Sequence, residues 1–290
     1  MRRPRLYCPS LAQDVVTLPP EEARHACNVL RIRTGDEVIV FDGQGHEAVG
    51  RVLAMTARSA AVQVRKVEPF PFECGYRITL AVAVVKAHRQ SYLVEKCTEL
   101  GLAAIWPIVT ERTVVKPREA ALDKWARRAL EASKQAGRRW VPTINPVQTF
   151  DEALQSLQHF RAAFIAAPEQ TDSLFPGAFS PEAFFPKSRA SARAISPPSV
   201  PFTGSLVDEL RALPSDSEIL VFVGPEGGWT DAELQAADAA GAMRIALATT
   251  TLRVETAAVA VCAAAAMAGL CATRAARNPR ADAEEKPLSP

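Results

Sequence analysis

The sequence predicts an α/β protein with a small β domain in its N-terminal part and a parallel α/β domain after it. Three observations predict this class. Apolar and polar residues alternate around a glycine turn early in the chain, strands alternate with helices from Ile78 onward, and 290 residues suit two domains. With 48% apolar and 23% charged residues, the composition is that of a globular protein with a buried core.

The N-terminal part is expected to be a small barrel or sheet over residues 1–72. Alternating apolar residues stand on either side of the turn at residues 43–45, Val38 and Val40 before it and Val49 and Val52 after it. Residues 60–67 add another strand. A short helix with two prolines at its start is expected over residues 19–32.

Residues 73–273 are expected to form the α/β domain. An apolar strand at 77–85 is followed by a helix at 91–101, whose stop is a glycine, and by a strand at 103–110. The helix at 123–137 has an apolar face and an arginine-rich face. Strands alternating with helices in this way are typical of a parallel sheet.

Two segments are expected to lack regular structure. Residues 168–214 hold eight of the 22 prolines and are interpreted as a mobile surface insertion in the α/β domain. Residues 274–290 are charged and contain prolines, so we expect a disordered tail.

The charge is unevenly distributed, although the net charge is only +2. Residues 112–139, here called the basic strip, hold nine Lys or Arg against three acidic residues, whereas residues 215–270 hold two against seven. Such a strip suits a polyanionic partner at one edge of the molecule. On charge alone, an ordinary solvated helix face is the favoured explanation.

Several classes of protein are disfavoured. The six cysteines form no CxxC pair and the four histidines are scattered, so no metal site is expected. The first residues lack the apolar stretch of a signal peptide, which predicts a cytoplasmic protein with reduced thiols. Residues 256–273 carry no charge but are mostly alanine, which favours a buried helix that another helix or subunit can approach closely over a membrane span.

The segment at 219–234 reads as an apolar strand, a glycine-rich turn and the start of a helix. Thr230 followed by Glu233 is a capping box, so the turn Gly224 to Gly228 should lie at the carboxyl end of a parallel strand, where open α/β sheets bind ligands. The turn matches neither dinucleotide-binding nor P-loop motifs. Taken alone, it fits a purely structural turn equally well.

A second unit at 243–261 repeats this arrangement and places Arg253 and Glu255 at a loop-to-helix junction. If the two strands are neighbours, these side chains lie beside the glycine turn. From the residues alone, an ion pair at the helix terminus and a catalytic role are equally open.

Five segments together carry a resemblance to a known family. They are LRVETA at 252–257, VGPEGGWTDAEL at 223–234, and the segments at 23–45, 94–116 and 132–144. Taken in their order along the chain, they resemble the RsmE-type 16S ribosomal RNA (uracil-N3)-methyltransferases of the SPOUT superfamily. The resemblance spans nearly the whole chain apart from 168–214 and the tail.

The resemblance implies an N-terminal PUA-like RNA-binding domain and a SPOUT methyltransferase domain tied in a trefoil knot. It implies S-adenosyl-L-methionine as cofactor, no metal, and a homodimer acting on 16S rRNA in the assembled or nearly assembled small ribosomal subunit. A non-catalytic rRNA-binding or assembly factor on the same fold is the alternative. A related enzyme acting on tRNA or on ribose 2′-OH is disfavoured, because segments 94–116 and 252–257 are similar to the uracil-N3 group specifically.

The family's loops also imply site residues in this chain. Arg253 and Glu255 are the catalytic candidates, Arg253 for the developing uracil oxyanion or for orienting the base and Glu255 for proton removal or for fixing Arg253. The family usually has a glycine and a basic residue after Leu247, where this chain has Ala248, Thr249 and Thr250. The expected cofactor-binding residues are Gly224, Pro225, Glu226, Gly227, Gly228, Leu247, Leu252 and Thr256, and the candidate RNA contacts are His25, Arg31, Arg127, Arg128, Arg138 and Arg139.

Overall fold

A computed structural model describes residues 3–115, 119–167 and 205–277. In these ranges the strands form two separate sheets, one of five strands and one of seven. The first sheet ends at Pro69 and the second begins at Tyr76, while the division of the chain at residues 72 and 73 stays a prediction. None of the helices in the described ranges is both long and apolar enough to cross a membrane.

The first sheet has the strand order β1-β3-β4-β5-β2. The predicted hairpin is confirmed, because β3 and β4 pair antiparallel across the glycine turn and bury Val38, Val40 and Val52. Val49 instead lies on the outer face and is 40% exposed, since it is an odd number of residues from Val52 in a strand of period two. The bounds are β1 Arg5–Tyr7, β2 Val15–Thr17, α1 Pro20–Asn28, β3 Glu37–Phe41, β4 His46–Met55 and β5 Ala60–Pro69.

Helix α1 is shorter than the sequence predicts. It ends at Asn28, and the chain then turns back through Arg31, whose φ is +55°. The amide of Ile32 donates to the carbonyl of Ala26, which closes the helix end. An arginine therefore occupies a left-handed backbone position that glycine usually takes.

The second sheet is parallel throughout, in the order β12-β10-β11-β6-β7-β8, with β9 also paired to β7. Its central strand β11 has both faces buried. Ile219 and Val221 face a core with α2, α3, α5 and α7, whereas Leu220 and Phe222 face one with α4 and α6. The bounds are β6 Tyr76–Ala83, α2 Ala87–Glu99, β7 Ala104–Val109, α3 Glu119–Ala136, β8 Thr143–Ile144, β9 Gln148–Thr149, α4 Phe150–Gln155, β10 Ala162–Ala166, α5 Leu206–Arg211, β11 Ser217–Val223, α6 Asp231–Ala239, β12 Met243–Ile245 and α7 Val254–Arg277.

Both segments expected to lack regular structure contain helix where they are described. The C-terminal end of the 168–214 segment forms α5, which Ser205 caps through its hydroxyl and which buries Leu206 and Leu210 in the core. The prolines that motivated the prediction lie on either side of this helix, so they do not interrupt it. The tail prediction is also wrong at its start, because α7 continues to Arg277. Residues 168–204 and 278–290 lie outside the described residues.

Candidate functional site

A cavity of about 180 Å³ lies at the carboxyl edge of the parallel sheet. The loops that follow β10, β11 and β12 form it, and the start of α7 contributes Val254 and Ala257. Parallel strands end at the same edge of a sheet, which is where α/β proteins bind ligands. Six of the eight predicted cofactor-binding residues line this cavity, namely Gly224, Pro225, Glu226, Gly228, Leu247 and Leu252.

The condition under which Arg253 and Glu255 were placed beside the glycine-rich turn, that β11 and β12 are neighbours, is not met. Strand β10 lies between them, with Phe164 paired to Val221 on one side and to Met243 on the other. The cavity therefore includes a third loop through Ala166 and Ala167, which sequence reasoning missed. The only signal was a five-residue apolar run, too short to distinguish a strand from other buried segments.

The glycine-rich turn after β11 is held rigidly. The predicted capping box at the start of α6 is confirmed, because the Thr230 hydroxyl accepts from the amide of Glu233 at 3.2 Å while the Glu233 carboxylate accepts from the amide of Thr230. The Trp229 indole donates to the carbonyl of Ala166 at 2.8 Å and so ties this turn to the β10 loop. Gly224 is required for packing, since a Cβ there would lie 2.8 Å from the Trp229 ring.

The other two predicted cofactor residues do not line the cavity. Gly227 faces the loop after β7, which contains Arg112. The Nη1 atom of Arg112 donates to the carbonyl of Gly227 at 2.9 Å and to the carbonyl of Trp229 at 3.1 Å. Thr256 is exposed in the first turn of α7. Arg112 thus secures the glycine-rich turn from outside, a role that the sequence did not indicate.

The catalytic candidates Arg253 and Glu255 lie beside the cavity but in different environments. Arg253 is exposed, whereas Glu255 is 8% exposed. They form no ion pair with each other in the described chain. Glu255 Oε1 lies 3.6 Å from Arg89 Nε, and the same guanidinium donates through Nη1 to Glu226 Oε1 at 2.9 Å. Arg89, in the first turn of α2, was missed because it stands in none of the motifs that drew attention.

Five of the six candidate RNA contacts are at least partly exposed, Arg139 among them. Arg127 and Arg128 are exposed on α3, where Arg128 pairs with Glu95 at 2.9 Å. Arg31 is exposed and His25 is half-buried at the end of α1. Lys116 and Arg118 of the basic strip lie outside the described residues.

The prediction that Arg138 contacts RNA is wrong. Arg138 is 5% exposed and donates from Nη1 to the carbonyls of Thr98 and Leu102, both at 2.9 Å, while Glu73 lies 3.4 Å from its Nε and Nη2. Burial lowers the pKa of Arg138, and the nearby Glu73 carboxylate offsets only part of this decrease. Its hydrogen-bonding capacity is used inside the protein, so little remains for a phosphate.

Arg139 is also held by the protein, at the junction of the two sheets. Its guanidinium lies 3.8 Å from the centre of the Phe70 ring, and its Nη2 donates to Glu47 Oε1 at 3.5 Å. Nearby, Lys134 of the basic strip pairs with Glu22 of α1 at 2.9 Å, both side chains less than a tenth exposed. Part of the basic strip therefore joins the two sheets instead of facing solvent.

The thiols and acidic groups of the described residues form no cluster suited to a metal ion. No group of three or more His, Cys, Asp or Glu side chains could hold a metal ion within the ranges described. Cys97 and Cys262 are buried in the core between α2 and α7, and the hydrogen bond between their thiols, together with burial, raises the pKa of Cys97. A thiol held in this way is an inert packing group.

Two models of known protein families match the chain, and both describe RNA methyltransferases. Residues 73–195 and 199–266 match the model of an RNA methyltransferase domain, and residues 18–65 match that of an RNA methyltransferase PUA domain. A parallel α/β domain with a cavity at its carboxyl edge, preceded by a small β domain, is thus the architecture of an RNA-modifying enzyme. The chain belongs to the RNA methyltransferase family.

Comparison with individual proteins identifies a more specific group of relatives. The chain is 29% identical over 247 residues to a ribosomal RNA small subunit methyltransferase E of Synechocystis, covering 85% of this chain and 71% of that protein. It is 27% identical to the protein of the same name from Bacillus subtilis, with 82% and 84% covered. The resemblance to the RsmE-type family is confirmed.

Solved structures agree with this likeness. The chain superposes with a TM-score of 0.68 and 26% identity on a ribosomal RNA small subunit methyltransferase E from Neisseria gonorrhoeae bound to S-adenosyl methionine, over 91% of this chain and 96% of that one. A probable rRNA-methyltransferase from Porphyromonas gingivalis, 23% identical, shares the fold with a TM-score of 0.73 over 93% and 99%. The predicted fold class is confirmed as a PUA-like domain followed by a parallel α/β RNA methyltransferase domain.

Proposed function

We propose that this protein uses S-adenosyl-L-methionine to methylate N3 of a uridine in 16S rRNA of the small ribosomal subunit. The observation that carries the proposal is the convergence of three strand-end loops on one cavity, with Arg253 and Glu255 beside it. The names of the relatives support the substrate class and the cofactor. A cytoplasmic location is part of the same proposal.

The cavity residues fit such a cofactor. Its walls combine apolar side chains such as Leu247 and Leu252, which suit an adenine ring, with the half-buried backbone of Gly224 and Gly228. Gly228 has a φ of +68° and nothing within 4 Å of where a Cβ would lie, so a ligand can approach its backbone closely. When bound, the cofactor supplies an electrophilic methyl group, and the residues of the three loops would hold it.

The residues beside the cavity can perform the remaining chemistry. Methylation at N3 of uracil requires removal of the imide proton and stabilisation of the charge that spreads onto O2 and O4. Arg253 is free to approach those oxygens, and Glu255 is the carboxylate that can accept the proton. Alignment of the reacting groups supplies roughly 7–11 kcal/mol in the best intramolecular models, so positioning is the main task of the protein.

Helix α7 suits the homodimer that we also propose. Its exposed side includes Met267 and Leu270, which are 66% and 68% exposed, among alanines that allow close approach of a second helix. Large apolar side chains exposed together on a helix of small residues are typical of a protein contact. RNA would then lie against the exposed part of α3 and the end of α1.

The activity is tested directly by incubating the protein with methyl-labelled S-adenosylmethionine and small subunits from cells lacking the modification. We expect labelled 3-methyluridine after digestion of the rRNA to nucleosides. Label in another nucleoside would overturn the N3 assignment and leave an rRNA methyltransferase. No label, with a related active enzyme as control, would favour the non-catalytic binding factor.

Stabilisation by the cofactor distinguishes an enzyme from a binding factor that no longer binds the cofactor, and a variant with a filled cavity tests where the cofactor binds. Ala248 and Thr250 line the cavity where the family usually has a glycine and a basic residue, which is the observation favouring the binding factor. S-adenosylmethionine at about 100 times its Kd should stabilise the wild type by about 2.7 kcal/mol, whereas Ala167→Phe should abolish the shift by occupying the cavity. Thermal unfolding measures both. An equal shift in Ala167→Phe would place the cofactor elsewhere, and the exposed Ala240→Phe is the matched control.

Arg31→Gly should stabilise the protein and weaken RNA binding. Glycine removes the cost of a side chain at φ +55°, about 1 kcal/mol, and raises Tm by about 2–4 °C. Loss of the exposed guanidinium removes a phosphate contact and lowers the salt dependence of binding. Thermal unfolding and rRNA binding at several salt concentrations measure the two effects.

Arg33→Gly is the matched control for that experiment, because it removes the same charge nearby where φ is not positive. It should lower Tm slightly. If both variants weakened RNA binding equally, the effect would be one of general charge, and the specific contact by Arg31 would be disproved.

A further inference from the structure

Arg89 joins two parts of the site that are far apart in sequence. It lies in the first turn of α2, yet its Nη1 donates to Glu226 of the glycine-rich turn at 2.9 Å and its Nε lies 3.6 Å from Glu255 Oε1 at the start of α7. The side chain is 27% exposed, so this contact between three segments is only partly open to water. An arginine suits this task because its planar fork can serve two carboxylates at once.

The two oxygens of Glu255 are not equivalent. Oε1 faces Arg89, whereas Oε2 is buried and has no hydrogen-bond partner among the described residues. A buried carboxylate oxygen without a partner is costly, and such atoms concentrate at sites that receive a ligand or a proton. Arg89 forms the one ion pair found for Glu255 in the described chain, so it sets which oxygen is left without a partner.

We propose that Arg89 is a positioning residue that holds Glu255 through Oε1 and leaves Oε2 as the atom that takes the proton from the target base. The proposal rests on the proposed function. In the step, the N3–H bond breaks and its proton forms a bond to Oε2. The cofactor would supply the methyl group, which would bond to N3 through the electron pair left by the proton, while the sulfur would keep the electrons of the broken bond. Arg89 keeps its charge throughout.

A purely structural brace would behave differently from a positioning residue. If Arg89 only held the glycine-rich turn through Glu226, its loss would weaken cofactor binding or folding, and methyl transfer with saturated cofactor would stay fast. If it acts through Glu255, its loss should slow the transfer step itself and leave cofactor affinity nearly unchanged. The two roles therefore separate in the rate constant and the Kd.

The experiment measures single-turnover methyl transfer to small subunits at saturating cofactor, together with the S-adenosylmethionine Kd by calorimetry. Arg89→Gln should slow transfer about 10- to 100-fold, the range found when the partner of a functional side chain is removed, with the Kd changed less than about threefold. Arg89→Lys should recover part of the rate. The double variant Arg89→Gln/Glu255→Gln should be no slower than Glu255→Gln alone, because the two residues act as one unit.

Lys96→Gln is the matched control, since it removes a cation from the same helix where the partners are Glu95 and Glu99 on the surface. It should react like the wild type. The proposal is overturned if Arg89→Gln transfers methyl groups at the wild-type rate, or if it changes only the Kd of S-adenosylmethionine. It is also overturned if the double variant is slower than Glu255→Gln alone, by a factor equal to the rate reduction caused by Arg89→Gln. Should Arg89→Gln fail to fold, Arg89→Met, which also removes the charge, decides by the same criteria.

The wild-type reaction separates the two possible failures. If the wild type forms no 3-methyluridine, the proposed function has failed. If the wild type forms it and Arg89→Gln forms it equally fast, the proposed function stands and the role of Arg89 alone is disproved.

Discussion

Arg138→Ala is expected to lower the free energy of unfolding by about 3–5 kcal/mol. The guanidinium is 5% exposed and serves the carbonyls of Thr98 and Leu102 as well as Glu73. Alanine leaves a cavity and removes one donor each from the carbonyls of Thr98 and Leu102 and from the Glu73 carboxylate. Denaturant unfolding followed by circular dichroism measures the change.

The neighbouring helix offers a control for that prediction. Arg127→Ala removes an exposed arginine, whose Nε reaches only the carbonyl of Asp123 at 3.4 Å, and should change stability by about 0.5 kcal/mol or less. If Arg138→Ala cost no more than Arg127→Ala, the buried network would contribute nothing. The carbonyl of Arg138 also accepts from Arg5 of β1 at 2.9 Å, a main-chain contact that the variant retains.

Arg253→Ala is expected to slow methyl transfer about 10²- to 10³-fold, the loss typical when a donor to a developing oxyanion is removed. Arg253 stands between Leu252 and Val254, which both line the cavity, and its side chain has no ion pair within the described residues. Its loss should therefore leave both stability and cofactor affinity near wild type. Single-turnover methyl transfer, with the S-adenosylmethionine Kd measured in parallel, distinguishes these quantities.

Arg211→Ala serves as the comparison for Arg253→Ala. Arg211 is exposed at the end of α5, where its partner Asp208 lies 3.8 Å away, and its loss should leave the rate unchanged. An Arg253→Ala variant that keeps the wild-type rate would remove the oxyanion assignment. A variant that loses cofactor affinity instead would make Arg253 a binding residue.

The sequence predicted structural features correctly where the interacting residues lie close together in the chain. The hairpin of β3 and β4, the capping box of Thr230 and Glu233, and the start of α7 next to Arg253 all depend on contacts within a few residues. The glycine-rich turn also fell at a strand end as expected. These features follow from local backbone geometry and periodicity, which a sequence displays directly.

Features that depend on long-range packing were missed. The short strand β10 is recognisable only by its pairing with β11 and β12, and α5 only by its burial of Leu206 and Leu210. Arg138 looks like the other arginines of the basic strip, yet the fold encloses it. The charge of a residue does not reveal whether its side chain will face solvent or be enclosed between elements of the fold.

The sequence by itself determined the hairpin, the alternation of strands and helices, the glycine-rich turn and the place of Arg253 and Glu255 at the start of a helix, because these are expressed in spacing and residue type. Only the tertiary structure decided that a third loop completes the cavity, that Arg138 is internal, and that Arg89 reaches Glu255. The physical reason is that strand order and helix packing bring together residues more than 100 positions apart, and no local preference encodes those distances.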